Sequence, residues 1–143
     1  MSETAQRTLF SQSAEETYHF GYHLGKQLTP NTVLCFFGDL AAGKTTFIKG
    51  VAAGAAQIDP DFVQSPTFTY LNIYEGQTSV YHFDLYRLKD IDEFLSMGFD
   101  EYFDAQGICC IEWSERISAY LPANSIHISL FHDGEGRRRI IIL

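Results

Sequence analysis

The chain has 143 residues, of which 45% are hydrophobic, and it carries 18 Asp and Glu side chains against 10 Lys and Arg, for a formal net charge of −8. This length predicts a single domain over residues 1–143 that can bury a core without disulfides. The acidic balance disfavours a free-standing nucleic-acid binder, because such proteins neutralise phosphates with a basic surface. The apolar runs are far shorter than the roughly 20 residues of a membrane span, and the chain does not open on a signal-peptide pattern, so we expect a cytoplasmic location without membrane contact.

The first elements predicted along the chain are a helix, a buried strand and a second helix. Ser13 opens a capping-box pattern, and the spacing of small and apolar residues then predicts a helix over 13–28. The run from Val33 to Phe37 is continuously apolar, which is typical of a strand buried on both faces. Residues 44–53 suit a second helix, which we expect to stop near Gly54.

The rest of the chain alternates short strands with turns and short helices. In chain order, the predicted elements are a strand from Phe68 to Tyr74, its hairpin partner from Val80 to Phe83, a helix from Asp90 to Gly98, a buried strand from Ile108 to Ile111, a helix from Ser114 to Leu121, and a closing hairpin of Ile126 to Phe131 with Arg137 to Leu143. This order indicates an α/β fold with a mixed central sheet, flanking helices and a C-terminal β-hairpin. We expect the arginines at 137–139 to guard an exposed edge of the sheet, and contact with phosphate or an acidic partner is the alternative.

The segment from Gly38 to Thr45 is a candidate phosphate loop. It reads Gly-Asp-Leu-Ala-Ala-Gly-Lys-Thr and fits G-x-x-x-x-G-K-[ST] without a mismatch. The glycines let backbone N–H groups turn toward phosphate oxygens, Lys44 reaches the β- and γ-phosphates, and the Thr45 hydroxyl coordinates Mg²⁺. The segment lies between an apolar run and a helix, whose N-terminal end adds a positive dipole. These features predict a nucleoside triphosphatase site of the P-loop type.

A site of this type also needs a carboxylate at the end of a neighbouring strand, and the sequence offers two. Asp84 and Glu112 each end an apolar run. One such acid holds Mg²⁺ while a further polar residue orients the attacking water, and the sequence does not order the two. Thr67 follows the phosphate loop by about 20 residues, where related nucleotidases place a switch hydroxyl. The chain lacks a guanine-reading Asn-Lys-x-Asp segment, which favours ATP over GTP.

The cysteines and histidines show no metal-ligand spacing. Cys35, Cys109 and Cys110 all lie in apolar runs, so we expect them to pack in the core. His19 and His23 are four residues apart on a predicted helix. A solvated helix face is the simpler interpretation of that pair, and a metal-binding pair is the alternative.

Several segments together are more specific than the phosphate loop alone. In chain order they are Gly38–Phe47, Ser65–Thr69, Tyr81–Arg87, Gly98–Phe103 and Ile111–Glu115. The chain resembles, on these segments and over nearly its whole length from about Ser13, the TsaE (YjeE) family of bacterial ATPases in tRNA threonylcarbamoyladenosine synthesis. The resemblance implies a small P-loop fold, weak ATP hydrolysis with Mg²⁺, and an auxiliary role beside TsaD-like and TsaB-like partners. It implies that tRNA is contacted only indirectly.

The resemblance also implies roles for individual residues. Thr45 and Asp84 would hold Mg²⁺, and Glu112 would lie near the metal or the attacking water. Thr67 would be switch-like, so the residues expected to serve catalysis are Lys44, Asp84, Glu112 and Thr67. Those expected to bind ATP or ADP are Leu40, Ala41, Ala42, Gly43, Lys44, Thr45 and Thr46, with Ala14 and Gly136 flanking the purine.

Two other functions stay open at this point. One is a nucleotide-dependent adaptor without significant catalysis. The other is a small kinase, which normally needs an arginine-rich lid, whereas the only arginine cluster is the one at 137–139. Arg87 and Arg116 are the candidates for an arginine finger within the chain, and a finger supplied by a partner would explain weak hydrolysis by the chain alone.

Overall fold

The computed structural model describes residues 6–38, 42–64, 66 and 69–143. Its strands and α-helices, in chain order, are β1 (Arg7–Ser11), α1 (Ala14–Gln27), β2 (Thr32–Gly38), α2 (Lys44–Ala56), β3 (Leu71–Tyr74), β4 (Val80–Asp84), α3 (Ile91–Ser96), β5 (Ile108–Glu112), β6 (Ile126–His132) and β7 (Arg138–Ile142). Short 3₁₀ segments lie at Pro60–Phe62, Phe99–Asp104 and Ser114–Tyr120. No helix among these residues is both long and apolar enough to cross a membrane.

Within the described residues, the strands form one seven-stranded sheet in the order β1-β7-β6-β2-β5-β4-β3. The central strands β6, β2, β5 and β4 are mutually parallel, and the remaining pairings are antiparallel. The parallel register places Glu112 beside Phe36 on one side and Asp84 on the other. The C-terminal ends of β2, β5 and β4 therefore lie side by side along one edge of the sheet, the edge formed by strand ends rather than by an outer strand. The predicted mixed sheet with flanking helices and a closing hairpin is confirmed.

The two faces of the sheet bury separate apolar clusters. Helices α1 and α2 cover one face, where the buried side chains include Leu34, Phe36, Phe47, Ile48, Val51, Ile108, Cys110, Ile128 and Leu130. Helix α3 and the two later 3₁₀ segments cover the other face, with Cys35, Phe83, Leu85, Phe94, Phe99, Cys109, Ile111 and Ile117. Because strand side chains alternate between faces, alternate residues of β4 and β5 project toward α2.

Helices α1 and α2 approach closely because each presents two glycines four residues apart. These are Gly21 and Gly25 on α1 and Gly50 and Gly54 on α2, and a Cβ on any of them would collide with the facing backbone. Gly54 therefore does not end α2 as the sequence predicts. The helix continues for two residues to Ala56, since Gly54 serves the contact with α1, and Gln57 follows in the left-handed conformation.

The remaining differences from the sequence-based prediction concern the ends of the chain and some short segments. Strand β1 is not predicted, and it pairs with β7. The expectation that residues 137–139 guard an edge is therefore wrong, because β7 is an interior strand and the edges are β1 and β3. The predicted helix after Ser114 is a 3₁₀ segment in which Ile117 has non-helical dihedral angles. Phe68, predicted to begin a strand, lies outside the described residues.

The close contact of α1 and α2 predicts the sign of a stability change. At an exposed helical position, replacing Gly with Ala stabilises a protein by about 1 kcal/mol. We expect Gly50→Ala instead to lower the free energy of unfolding by about 1–3 kcal/mol, because the added methyl overlaps the backbone of α1. Urea unfolding measures the change, with the exposed Gln27→Ala at the end of α1 as control. A more stable Gly50→Ala variant would contradict the close contact.

The buried cysteines predict low thiol reactivity. All three are free and buried, as expected, and burial raises the pKa of the Cys109 thiol to about 12 and that of Cys110 well above its ordinary value. We expect iodoacetamide to modify these thiols at neutral pH only as fast as the chain unfolds. The free energy of unfolding should also fall as the pH rises above about 9, where the thiols ionise in the unfolded chain but stay neutral in the folded one. Alkylation in the native state at the rate of a free thiol would contradict this.

Candidate functional site

The described ends of the phosphate loop have the backbone that a phosphate site requires. Gly38 and Gly43 both have positive φ, at 133° and 101°, and a Cβ on Gly38 would collide with the carbonyl of Leu130. Gly43 is the N-cap of α2, and it gives the helix no side-chain cap. By contrast, Ser13 and Asp90 cap α1 and α3, each followed by acidic residues in the first turn. The N–H groups at the start of α2 are therefore suited to an anion.

Lys44 holds its amine between the end of β2 and the Trp113 ring. Its Nζ donates to the carbonyl oxygen of Gly38 at 3.2 Å and lies 5.7 Å from the centroid of the Trp113 ring. These contacts join the end of β2 to the residue that follows β5. The only strong cation at the start of α2 is thus held where the phosphates of a nucleotide would meet the helix.

Asp84 and Glu112 are brought together by the sheet. They are register partners at the ends of β4 and β5, and both project to the face that α2 covers. Asp84 Oδ1 accepts the backbone N–H of Tyr86 at 3.0 Å, which fixes one of its oxygens. Glu112 is buried, with 9% of its side-chain surface exposed. Two carboxylates thus lie side by side at the edge next to the phosphate loop.

His82 is the residue of this site that the sequence-based prediction misses. Its Nε2 lies 2.8 Å from Oε2 of Glu112, and its side chain is fully buried. Nδ1 of His82 has no hydrogen-bond partner among the described residues. The signal was the spacing within β4, since His82 precedes Asp84 by two residues and therefore lies on the same face of the strand.

Trp113 directly follows Glu112 in the chain and has a strained backbone conformation. Its φ is 61°, which is unusual for a bulky residue and is typical of functional segments. The ring centroid lies 5.0 Å from that of Tyr86, and the guanidinium of Arg116 lies 5.9 Å from the Trp113 ring. Because Lys44 contacts the same ring, Arg116 is the candidate arginine that the structure brings near the phosphate loop.

The residues predicted to flank the purine lie on neighbouring segments. Ala14 is the exposed first residue of α1, and Gly136 lies in the exposed turn between β6 and β7, where a Cβ would stand 3.9 Å from the carbonyl oxygen of Gln12. Buried Thr17 bonds to Ser11 at 2.7 Å and also lies against Gly43. The first turn of α1 is therefore fixed between the phosphate loop and this turn.

Some predicted site residues lie outside the described residues, namely Leu40, Ala41 and Thr67. Ala42 is buried, and Thr45 and Thr46 are half-buried in the first turn of α2.

The oxygens of Thr45 and Asp84 are the hard ligands that Mg²⁺ prefers, so the residues present fit this ion. No group of three or more His, Cys, Asp and Glu side chains suited to a metal occurs in the described part of the chain. A P-loop site does not require one, because substrate phosphates complete the coordination.

Comparison with known proteins assigns the family. A family model described as threonylcarbamoyl adenosine biosynthesis protein TsaE matches residues 11–140. A tRNA threonylcarbamoyladenosine biosynthesis protein TsaE from Treponema pallidum is 39% identical over 132 residues, or 92% of this chain and 96% of the relative. The namesake from Bacillus subtilis is 43% identical over 112 residues, or 78% and 68%.

A solved structure agrees with this assignment. The crystal structure of Bacillus subtilis YdiB superposes with a TM-score of 0.82 at 33% identity, covering 99% of this chain and 87% of that one. The family match extends over nearly the whole described sheet and includes the phosphate loop and both strand-end acids. The chain belongs to the TsaE family of threonylcarbamoyl adenosine biosynthesis proteins.

Proposed function

We propose that this chain is an Mg²⁺-dependent ATPase, one domain over residues 1–143, that acts as an auxiliary subunit when tRNA receives the threonylcarbamoyladenosine modification. The observation that carries the proposal is that Lys44, at the uncapped start of α2, bonds to the end of β2, and that β2, β5 and β4 end in register, where Asp84 and Glu112 are partners. The names of the Treponema pallidum and Bacillus subtilis relatives support the role in tRNA modification. A cytoplasmic location, expected from the sequence, matches that role.

The nucleotide would lie along the phosphate loop. Residues 40–46 would surround the phosphates of ATP or ADP, with Lys44 on the β- and γ-phosphates. Ala14 and Gly136 would flank the purine, since the first turn of α1 is fixed against both Gly43 and the segment before it. Thr67 would be the switch residue that meets the γ-phosphate side.

Thr45 and Asp84 would hold Mg²⁺. The ion, when bound, supplies positive charge to the β- and γ-phosphate oxygens. Glu112 would serve the attacking water, because its carboxylate is buried beside Asp84 and is held by His82. A cation over the transferred phosphoryl group would still be needed for fast turnover. Arg116 lies within reach of the site through Trp113, and a partner could supply a second arginine.

The partners that we propose are TsaD-like and TsaB-like proteins. A net charge of −8 is poorly suited to holding tRNA directly and favours a role on a basic protein surface. The proposed division of labour leaves tRNA to the partners and the nucleotide cycle to this chain.

Turnover by active-site variants tests the proposal. We expect Lys44→Ala and Asp84→Ala to lower ATP hydrolysis by about 100-fold or more, because each removes charge that faces the phosphates or the ion. Hydrolysis is measured for the chain alone and with the two partners, together with tRNA modification. Glu101→Ala, an exposed acid distant from the loop in sequence, is the control.

Each alternative function predicts a different outcome of that experiment. Hydrolysis that stays negligible with both partners would support an adaptor, and phosphoryl transfer to an acceptor would support a kinase. Unaltered tRNA modification by both variants would overturn the proposed role of the nucleotide cycle.

The fluorescence emission of Trp113 provides a direct test of the position of the nucleotide. Trp113 is the chain's single tryptophan, and Lys44 lies over its ring. We expect ADP with Mg²⁺ to change the emission in a saturable way, because the phosphates draw the amine of Lys44 away from the ring. Lys44→Ala should raise the nucleotide concentration needed for half of the emission change by about tenfold or more. Lys49→Ala, on the same helix, should leave that concentration unchanged. A flat titration in the wild-type chain would contradict the placement of the nucleotide beside Trp113.

A further inference from the structure

The pair formed by His82 and Glu112 connects the interior of the sheet to the edge where the nucleotide is proposed to bind. His82 is the register partner of Cys110, one step inside the edge, and Glu112 is the partner of Asp84 at the edge itself. The bond of 2.8 Å between Nε2 and Oε2 therefore runs diagonally between the two strands. The imidazole is fully buried, whereas 9% of the Glu112 side chain is exposed.

The direction of this hydrogen bond follows from the chemistry of the two groups. An ionised carboxylate only accepts, so Nε2 of His82 is the donor. Nδ1 is buried without a partner in the described part of the chain. A neutral imidazole with its proton on Nε2 leaves only a lone pair unpaired there, whereas a proton on Nδ1 would leave a buried donor unpaired. The arrangement thus directs the imidazole proton at Glu112.

We propose that His82 is a positioning residue for Glu112: it holds Oε2 and thereby leaves Oε1 to bind the water that attacks ATP. This inference rests on the proposed ATPase function and deepens it. It also gives a physical reason for the role of Glu112 in the order of the two strand-end acids proposed above. Asp84, whose Oδ1 accepts the Tyr86 N–H, would hold the metal ion, and Glu112 would bind the attacking water.

In the hydrolytic step, Glu112 would accept a proton from the attacking water. The water oxygen bonds to the γ-phosphorus, and the bond from that phosphorus to the β,γ-bridging oxygen breaks, leaving its electron pair on ADP. One water proton passes to Oε1 of Glu112 and from there to the phosphate product. A Glu side chain has three rotatable bonds, so a fixed Oε2 lowers the number of carboxylate orientations that compete with the productive one.

Two amide variants separate positioning from packing. The amide nitrogen of Gln reaches about as far along the side chain as Nε2 of His, whereas that of Asn reaches only about as far as Nδ1. We expect His82→Gln to keep kcat within about threefold, and His82→Asn and His82→Leu to lower kcat by about 10- to 100-fold, with KM for ATP within about twofold. Turnover is measured on the full chain with the TsaD-like and TsaB-like partners.

A packing control lies next to His82 in the sheet. Cys110→Ala opens space in the same buried layer without touching the hydrogen bond, so it should lower the melting temperature and leave kcat unchanged. Equal losses of kcat in the Gln, Asn and Leu variants, or wild-type kcat in Asn and Leu, would overturn the positioning role. A kcat loss in Cys110→Ala that matches His82→Leu would do the same.

The ¹⁵N spectrum of the histidine side chains tests the pair without turnover. We expect Nε2 of His82 to carry a slowly exchanging proton and Nδ1 to carry none, with the Nε2–H resonance shifted in Glu112→Gln. A proton on Nδ1 would overturn the inference even if the chain hydrolyses ATP. A wild-type chain that hydrolyses no ATP with its partners would overturn the proposed function and the catalytic use of the pair. The spectrum would still report separately whether the pair forms.

Discussion

Parallel pairing of β2, β5 and β4 is the constraint on which the site depends. The shared direction brings the end of β2, where the phosphate loop begins, to the same edge as Asp84 and Glu112. In open α/β sheets this edge is where ligands bind. The pairing also buries β5 on both faces, so that Glu112 enters the site from a rigid strand. Local sequence builds each strand end, but the register sets the distances between them.

The close packing of α1 on α2 is the second requirement. Glycines at 21, 25, 50 and 54 let the two backbones approach, which fixes the start of α1 against the start of α2. The buried bond between Ser11 and Thr17 ties β1 to the same corner. In the proposed site, the helix interface would thus shape the purine side, and the sheet would shape the phosphate and metal side. Neither side alone would form a nucleotide site.

Features with a local cause were predictable from sequence. Ser13 and Asp90 cap helices because their side chains accept N–H groups three residues along the chain. Strand β2 was predictable because burial on both faces leaves a continuous apolar run. Strand β1 was not, because its partner β7 lies at the far end of the chain and a five-residue run carries little periodicity. Gly54 was misread as a stop signal, since a glycine that ends a helix and one that admits a neighbouring backbone look alike in sequence.

The phosphate loop, the two candidate carboxylates and the family could be recognised from the sequence alone, because each lies in short segments whose spacing reflects local chemistry. The fold alone makes Asp84 and Glu112 neighbours and places His82 against Glu112. Those residues belong to different strands, and the bond between His82 and Glu112 joins positions 30 residues apart. Such a contact depends on which strands pair and in what register, and that choice is made by the burial of the whole sheet rather than by any one segment.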